Sequence, residues 1–169
     1  KGILELIEAS EILYKQNITV DLMLLNAIHP DPSSSAYNES VKEKIASSPI
    51  KDHVTLNNNF LSENEIMKKL QYADIVTFPY QNTQESSSAA VRFGIMAQKP
   101  VVVTPLDIFE DIQDIAIFTK SIMPNDIANT IKRTLEQKES YDLKKHQEWI
   151  ELHKWESVSI NLYNFITAF

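Results

Sequence analysis

ADIVTFPYQNTQESSSAAVRFGIMAQKPVVVTP, residues 73–105, is the stretch on which the reading of the fold turns. Its two ends, Asp74 to Pro79 and Pro100 to Pro105, are apolar, β-branched runs closed by proline, without the alternation of a strand that wets one face. They read as parallel strands covered on both sides, so the residues between them must supply a crossover helix. Ser86, Ser87 and Ser88 mark its start, because their hydroxyls can accept from the free N–H groups of a first turn. Ala89 to Gln98 form its body, with Ala, Val, Ile and Met on a sheet-facing stripe. In an open α/β sheet, ligands sit at the carboxyl ends of the strands, where such a helix points its N-terminus. That terminus carries unpaired donors and about half a positive charge, which suits phosphate. Two readings of the serines therefore stand side by side: plain helix caps, or caps that also line an anion site in the loop from Gln81 to Ser88.

Outward from this unit, strands and helices alternate. Gly2 to Gln16 carries Ile3, Leu4, Ile7, Ala9, Ile12 and Leu13 near helical spacing, and Thr19 to Leu25 is a strand candidate. Ala27 to Glu39, with two prolines and three consecutive serines, reads as a flexible polar loop, followed by a short helix over Ser40 to Ser47 and a strand over His53 to Leu56. Ser62 and Glu65 form a capping-box pattern ahead of Ile66, Leu70 and Ala73. Beyond Pro105 come a weak strand at Ile115 to Thr119, a helix from about Asn125 to Gln137, and a helical tail from Tyr141 to Phe169 rich in aromatic residues. The pattern predicts one doubly wound α/β domain, Rossmann-like, with a parallel sheet and helices on both faces, the tail beginning near residue 140.

Composition narrows the function. A net charge of −7 and no basic run argue against nucleic acid as a partner, and no apolar stretch reaches the roughly 20 residues of a membrane span. No signal peptide is expected, since Lys1 leads into an amphipathic pattern rather than an apolar core. The chain has no cysteine, which is compatible with a reducing cytoplasm. With only Gly2 and Gly94, neither a dinucleotide fingerprint nor a P-loop can be written. His29, His53, His146 and His153 form no pair at metal-ligand spacing, so no metal is expected, and His146 and His153 read as a solvated face of the tail. Asn17-Ile-Thr19 and Asn38-Glu-Ser40 fit the glycosylation triplet, a pattern common by chance.

Several separated motifs, in order, resemble the carboxyl-terminal, donor-binding half of the GT-B fold, retaining glycosyltransferases that use nucleotide-activated sugars. They are Lys1-Gly2-Ile3-Leu4, Tyr72-Ala73-Asp74-Ile75-Val76 through Pro79, Glu85 ahead of the helix, Lys99-Pro100-Val101-Val102, Glu110-Asp111-Ile112 and Trp155-Glu156-Ser157-Val158. The resemblance implies a fragment of a two-domain enzyme that moves a sugar from an NDP-sugar to a glycan or lipid-linked acceptor held by an amino-terminal domain. It implies Glu85 as the catalytic residue on the donor sugar and Lys1 at the donor diphosphate. The glycine-containing segment that follows Glu85 in the family is replaced by Ser86, Ser87, Ser88 and the residues to Arg92, whose hydroxyls, helix-terminal N–H groups and guanidinium could still hold the diphosphate, Arg92 reading equally as a surface or acid-paired residue. Asn59, Phe60, Leu61 and Phe93 fall in the base and ribose region. No cofactor and no metal are implied. The commonest setting for such enzymes is bacterial polysaccharide or lipopolysaccharide synthesis, in the cytoplasm or at the inner face of the membrane, with peripheral contact made through the other half.

Beside the replaced glycine-containing segment, two further departures stand against the pattern. The family's second Glu, which holds the ribose, is here Phe93, and Phe cannot accept a hydrogen bond. A central first strand before the Lys-Gly segment is absent, which leaves strand edges unpaired unless the neighbours close up or an outside peptide fills the place. A non-catalytic GT-B-like binding or scaffolding domain, with the aromatic tail as its partner surface, and a GT-B nucleotide-sugar epimerase are the alternatives.

Overall fold

The computed structural model describes residues 1–137 and 142–168. Tyr141 and Phe169, the two ends expected for the tail, lie outside them. In chain order the elements are α1 (Ile3–Lys15), β1 (Leu22–Leu25), α2 (Pro32–Ser47), β2 (Val54–Asn57), α3 (Glu63–Gln71), β3 (Val76–Phe78), α4 (Ala89–Met96), β4 (Val101–Val103), β5 (Ile117–Phe118), α5 (Pro124–Glu136), α6 (Leu143–Leu152) and α7 (Trp155–Thr167). Every strand pair is parallel, as the doubly buried runs predicted. The strands nevertheless form two sheets, β1-β2 and β3-β4-β5, with no ladder joining β1 to β3. A sheet lacking its central strand is the expectation, and this is its geometry.

Two apolar clusters hold the layers. In the first, the α1 stripe of Ile3, Leu6, Ile7, Ala9 and Leu13 packs with Val41 of α2, Leu24 of β1 and Ile127, Ala128 and Ile131 of α5. α1 ends as its sequence dictates: Asn17 takes φ 62, Ile18 N–H donates to the Leu13 carbonyl at 3.0 Å, and Asn17 N–H donates to that of Tyr14 at 2.9 Å. This closure uses the tolerance of Asn for the left-handed region. In the second cluster, Val91 and Ile95 of α4 meet Val101 and Val103 of β4, Phe109 and Ile112 of a 3-10 segment (Asp107–Ile112), and Trp149 and Ile150 of α6. Gly94 lets α4 lie close on β3, because a Cβ there would stand 2.9 Å from the Phe78 ring and 3.3 Å from Val76.

Three expectations are corrected. Residues 32–39 are helix rather than loop: Asp31 caps α2 by accepting from Ser34 N–H at 2.9 Å, and Pro32 takes the first turn, where its missing N–H costs nothing. The expected helix over 40–47 is only the second half of α2. His146 is 2 % exposed rather than solvated, with Nε2 2.8 Å from the Ile115 carbonyl, and burial pushes its pKa down. Asn38, in the second glycosylation triplet, is buried at 1 % exposure, out of reach of modification in the folded chain. α7 packs on α6 and leaves Trp155, Tyr163 and Phe165 exposed, and among the described residues no helix is long and apolar enough to cross a membrane.

Gly94→Val is expected to destabilise the fold by about 1–3 kcal/mol through overpacking against Phe78, as read from urea denaturation. A second expectation concerns the α2 cap. Hydrogen bonds from the Ser33 hydroxyl and Ser34 N–H, with His29 beside them, lower the Asp31 pKa from 3.8 to about 2. A lowered folded-state pKa means that the cap acts fully above the unfolded value and is lost as pH falls through about 2. Protection of the Ser33, Ser34 and Ser35 amides, taken as exchange relative to the unfolded-chain rate at each pH, should therefore be lost only on strong acidification, and at neutral pH in Asp31→Ala.

Candidate functional site

The carboxyl ends of β3 and β4 hold the loop of residues 79–88 at both of its ends. Thr104, just past β4, donates its hydroxyl to the Tyr80 carbonyl at 2.6 Å. Gln81 Nε2 donates to the Pro79 carbonyl at 3.1 Å and to the Ile122 carbonyl, beyond β5, at 3.0 Å. The Tyr80 ring lies 5.3 Å from that of Phe109, and its hydroxyl shares a 3.4 Å hydrogen bond with Ser88 Oγ. Ser88 is buried and caps α4, accepting from Val91 N–H at 3.4 Å. Between these anchors the tip is polar and exposed: Gln84, Glu85, Ser86 and Ser87 all face solvent, and Glu85 N–H donates to Thr83 Oγ1 at 3.1 Å.

A second helix N-terminus reaches the same place. Gly2, at φ 78, sits so close to Pro79 that a Cβ would overlap the Pro79 oxygen and lie 3.3 Å from Gln81 Nε2. The α1 start, where Ile3 N–H donates to the Tyr37 hydroxyl at 3.1 Å, and the Lys1 ammonium thus stand at the opening of an exposed carboxylate-bearing loop that ends in the Ser88-capped start of α4. A shallow pocket lined by Asp74, Ile75, Lys99, Pro100 and Leu135 lies at the amino ends of β3 and β4, the wrong end for those dipoles.

Gly2, next to Lys1, approaches Pro79 and Gln81, and Glu85, Ser86, Ser87 and Ser88 follow in the same loop. The other five lie outside this loop. Arg92, one turn into α4, pairs with Asp111 and holds its guanidinium 5.2 Å from the Trp149 ring centroid. Phe93 is half-buried on α4. Asn59, Phe60 and Leu61 follow β2 on the other sheet, where Asn59 N–H donates to Asn57 Oδ1 at 3.0 Å and Phe60 is 75 % exposed. Among the described residues, no group of three or more His, Cys, Asp or Glu is placed to hold a metal ion. Sequence reasoning missed Gln81 and Thr104 as anchors; polar residues within three positions of the end of each buried strand were the available signal.

No family model and no curated protein sequence matches the chain. Solved structures do. An α,α-trehalose-phosphate synthase (UDP-forming) from Burkholderia xenovorans, in complex with glucose-6-phosphate, aligns over 99 % of this chain and 41 % of its own at TM-score 0.76 and 12 % identity. The corresponding synthase from Burkholderia vietnamiensis aligns over 99 % and 42 % at TM-score 0.74 and 11 % identity. Anabaena HepE in complex with UDP-glucose aligns over 95 % and 52 % at TM-score 0.67 and 12 % identity. The fold is that of GT-B glycosyltransferases, as the motifs implied, and residues 1–169 span about half or less of these structures.

Gly2→Ala should lower the thermal midpoint and disturb the amide resonances of residues 79–81 together with those of the first turn of α1. A shift confined to α1 would separate α1 from the corner.

Proposed function

We propose that residues 1–169 form the donor-binding part of a glycosyltransferase that transfers a sugar from an NDP-sugar to a glycan or lipid-linked acceptor, the acceptor being held mainly by a domain outside these residues. The approach of Gly2, at the start of α1, to Pro79 and Gln81, where the Glu85 loop leaves the carboxyl end of β3 on its way to the α4 cap, carries the reading. The likeness of fold to glycosyltransferases supports it, and the UDP-glucose complex of HepE makes UDP-sugars the first donors to test. Bacterial polysaccharide or lipopolysaccharide synthesis at the cytoplasmic side of the membrane is the setting we propose.

The chemistry follows from charge. When the bond between the anomeric carbon and the diphosphate oxygen breaks, its electron pair goes to the leaving nucleoside diphosphate. Negative charge then grows on phosphate oxygens, where Lys1 and the N–H groups above Ser86, Ser87 and Ser88 offset it. Glu85 accepts hydrogen bonds from donor-sugar hydroxyls and so fixes the anomeric carbon against the acceptor. Arg92 acts on this site indirectly, by anchoring α4 through Asp111 and Trp149.

Phe93 supports a second reading, a non-catalytic domain with this fold, since it offers no acceptor to a ribose hydroxyl. A panel of UDP, GDP, ADP and their sugars, followed by NMR, separates the two. Binding followed by sugar transfer supports the transferase, and interconversion of free NDP-sugars would make it an epimerase. Glu85→Gln in the complete enzyme is expected to lower turnover about a hundredfold while circular dichroism stays native. Unchanged turnover would remove Glu85 from the site.

A further inference from the structure

Gln81 spends the donating end of its side chain on the protein and keeps the accepting end. Its Nε2 donates to the Pro79 carbonyl at 3.1 Å and to the Ile122 carbonyl at 3.0 Å. Turning the amide over would set Oε1 against two carbonyl oxygens, so the chain itself decides which end faces inward. Among the described residues nothing donates to Oε1, and the atom is not sealed from solvent.

The amide is also held from several sides. Pro79 lies just past β3 and Ile122 between β5 and α5, so two separate segments of backbone grip it. A third closes on it, since a Cβ on Gly2 would come within 3.3 Å of Nε2. Gly2 therefore lets the start of α1 lie against the Gln81 amide, with Lys1 next in the chain. The entropy of ordering this half-buried side chain is spent before any ligand arrives, and the ligand meets an acceptor already in place.

Charge sorts what these two neighbours can hold. The Lys1 ammonium has donors only and takes anionic oxygens, whereas an amide oxygen carries no proton and takes a hydroxyl or an N–H. Oε1 repels a diphosphate oxygen; a sugar or ribose hydroxyl suits it.

We infer that Gln81 is a specificity-determining residue of the donor site, its Oε1 accepting a hydrogen bond from one hydroxyl of the nucleotide-sugar. This rests on the donor-binding reading of the corner and adds to it the group that distinguishes a hydroxyl from its absence.

The test takes whichever of UDP-, GDP- and ADP-glucose binds the complete enzyme most tightly and measures its affinity by calorimetry, beside analogues deoxygenated at one hydroxyl each on glucose or ribose. For one hydroxyl, deoxygenation is expected to weaken binding about tenfold or more in the native chain and to change nothing in Gln81→Met, which keeps the side chain's length and removes the acceptor. Where that hydroxyl sits tells whether glucose or ribose is held. Thr104→Val removes a different anchor of the same loop, the bond to the Tyr80 carbonyl, and should leave the tenfold difference intact. No cost for any hydroxyl in the native chain, a cost that survives in Gln81→Met for every hydroxyl, or one that vanishes equally in Thr104→Val overturns the proposal. Should Gln81→Met fail to fold, the NMR signals of the native Gln81 Nε2 decide. A shift with the parent donor that is lost with one analogue supports the proposal, and the same shift with every analogue, or none, overturns it. Failure to bind any of the three donors overturns the donor-binding reading itself.

Discussion

A backbone-on-backbone approach, Gly2 against the Pro79 carbonyl, is the constraint on which the rest of the structure depends. It ties the start of α1, which belongs to the cluster around β1 and β2, to the end of β3, which belongs to the other sheet. No β ladder joins the two sheets, so their relation rests on this approach and on the α1–α5 and Ile75 packing. The same approach sets the electrostatics. It brings one helix N-terminus beside the opening of the loop that ends in another. A side chain at position 2 would push them apart, which is why one of only two glycines in the chain stands there.

The loop itself divides into fixed ends and a free tip, and the division follows from burial. Tyr80, Gln81 and Ser88 meet carbonyl or hydroxyl partners under the β3 and β4 ends, where an unpaired polar group would be costly. Glu85, Ser86 and Ser87 carry polar groups outward, where water serves until a ligand replaces it. Ser88 thus settles toward the cap reading, while its two neighbours keep their hydroxyls available. Arg92 is engaged by Asp111 and Trp149, which hold its charge.

Most of the fold was legible in the sequence because its strands are short, apolar and bounded by proline or polar residues, and its helices are strongly periodic. The capping box at Ser62 and Glu65 forms as written, with Ser62 N–H donating to the Glu65 carboxylate at 2.8 Å. The first half of α2 was hidden because Pro32-Ser-Ser-Ser has the composition of a loop; only Asp31, as a cap before a proline, pointed to a helix start. His146 was misread because a lone histidine among Lys144, Lys145 and Glu148 looks solvated, whereas tertiary packing decides its surroundings. Of the candidate site, the Glu85–Ser88 corner follows from local pattern. Its link to Lys1 comes from the Gly2 approach, a long-range contact that no local pattern encodes.

The tail then has a place in the argument about the site. α4 has eight residues, too few to be stable alone, and its first turn is what the corner depends on. β3 receives it through Gly94, and β4 through Val91 and Ile95. From outside, α6 holds it: Trp149 lies under the Arg92 guanidinium and stacks on His153 at 3.7 Å between ring centroids. His146, whose pKa burial lowers, holds its Nε2 2.8 Å from the carbonyl of Ile115 just ahead of β5. α6 is therefore part of the frame that aims the α4 N-terminus, even though none of its residues reaches the corner. α7, which packs on α6 and buries none of its own residues, stands outside that frame.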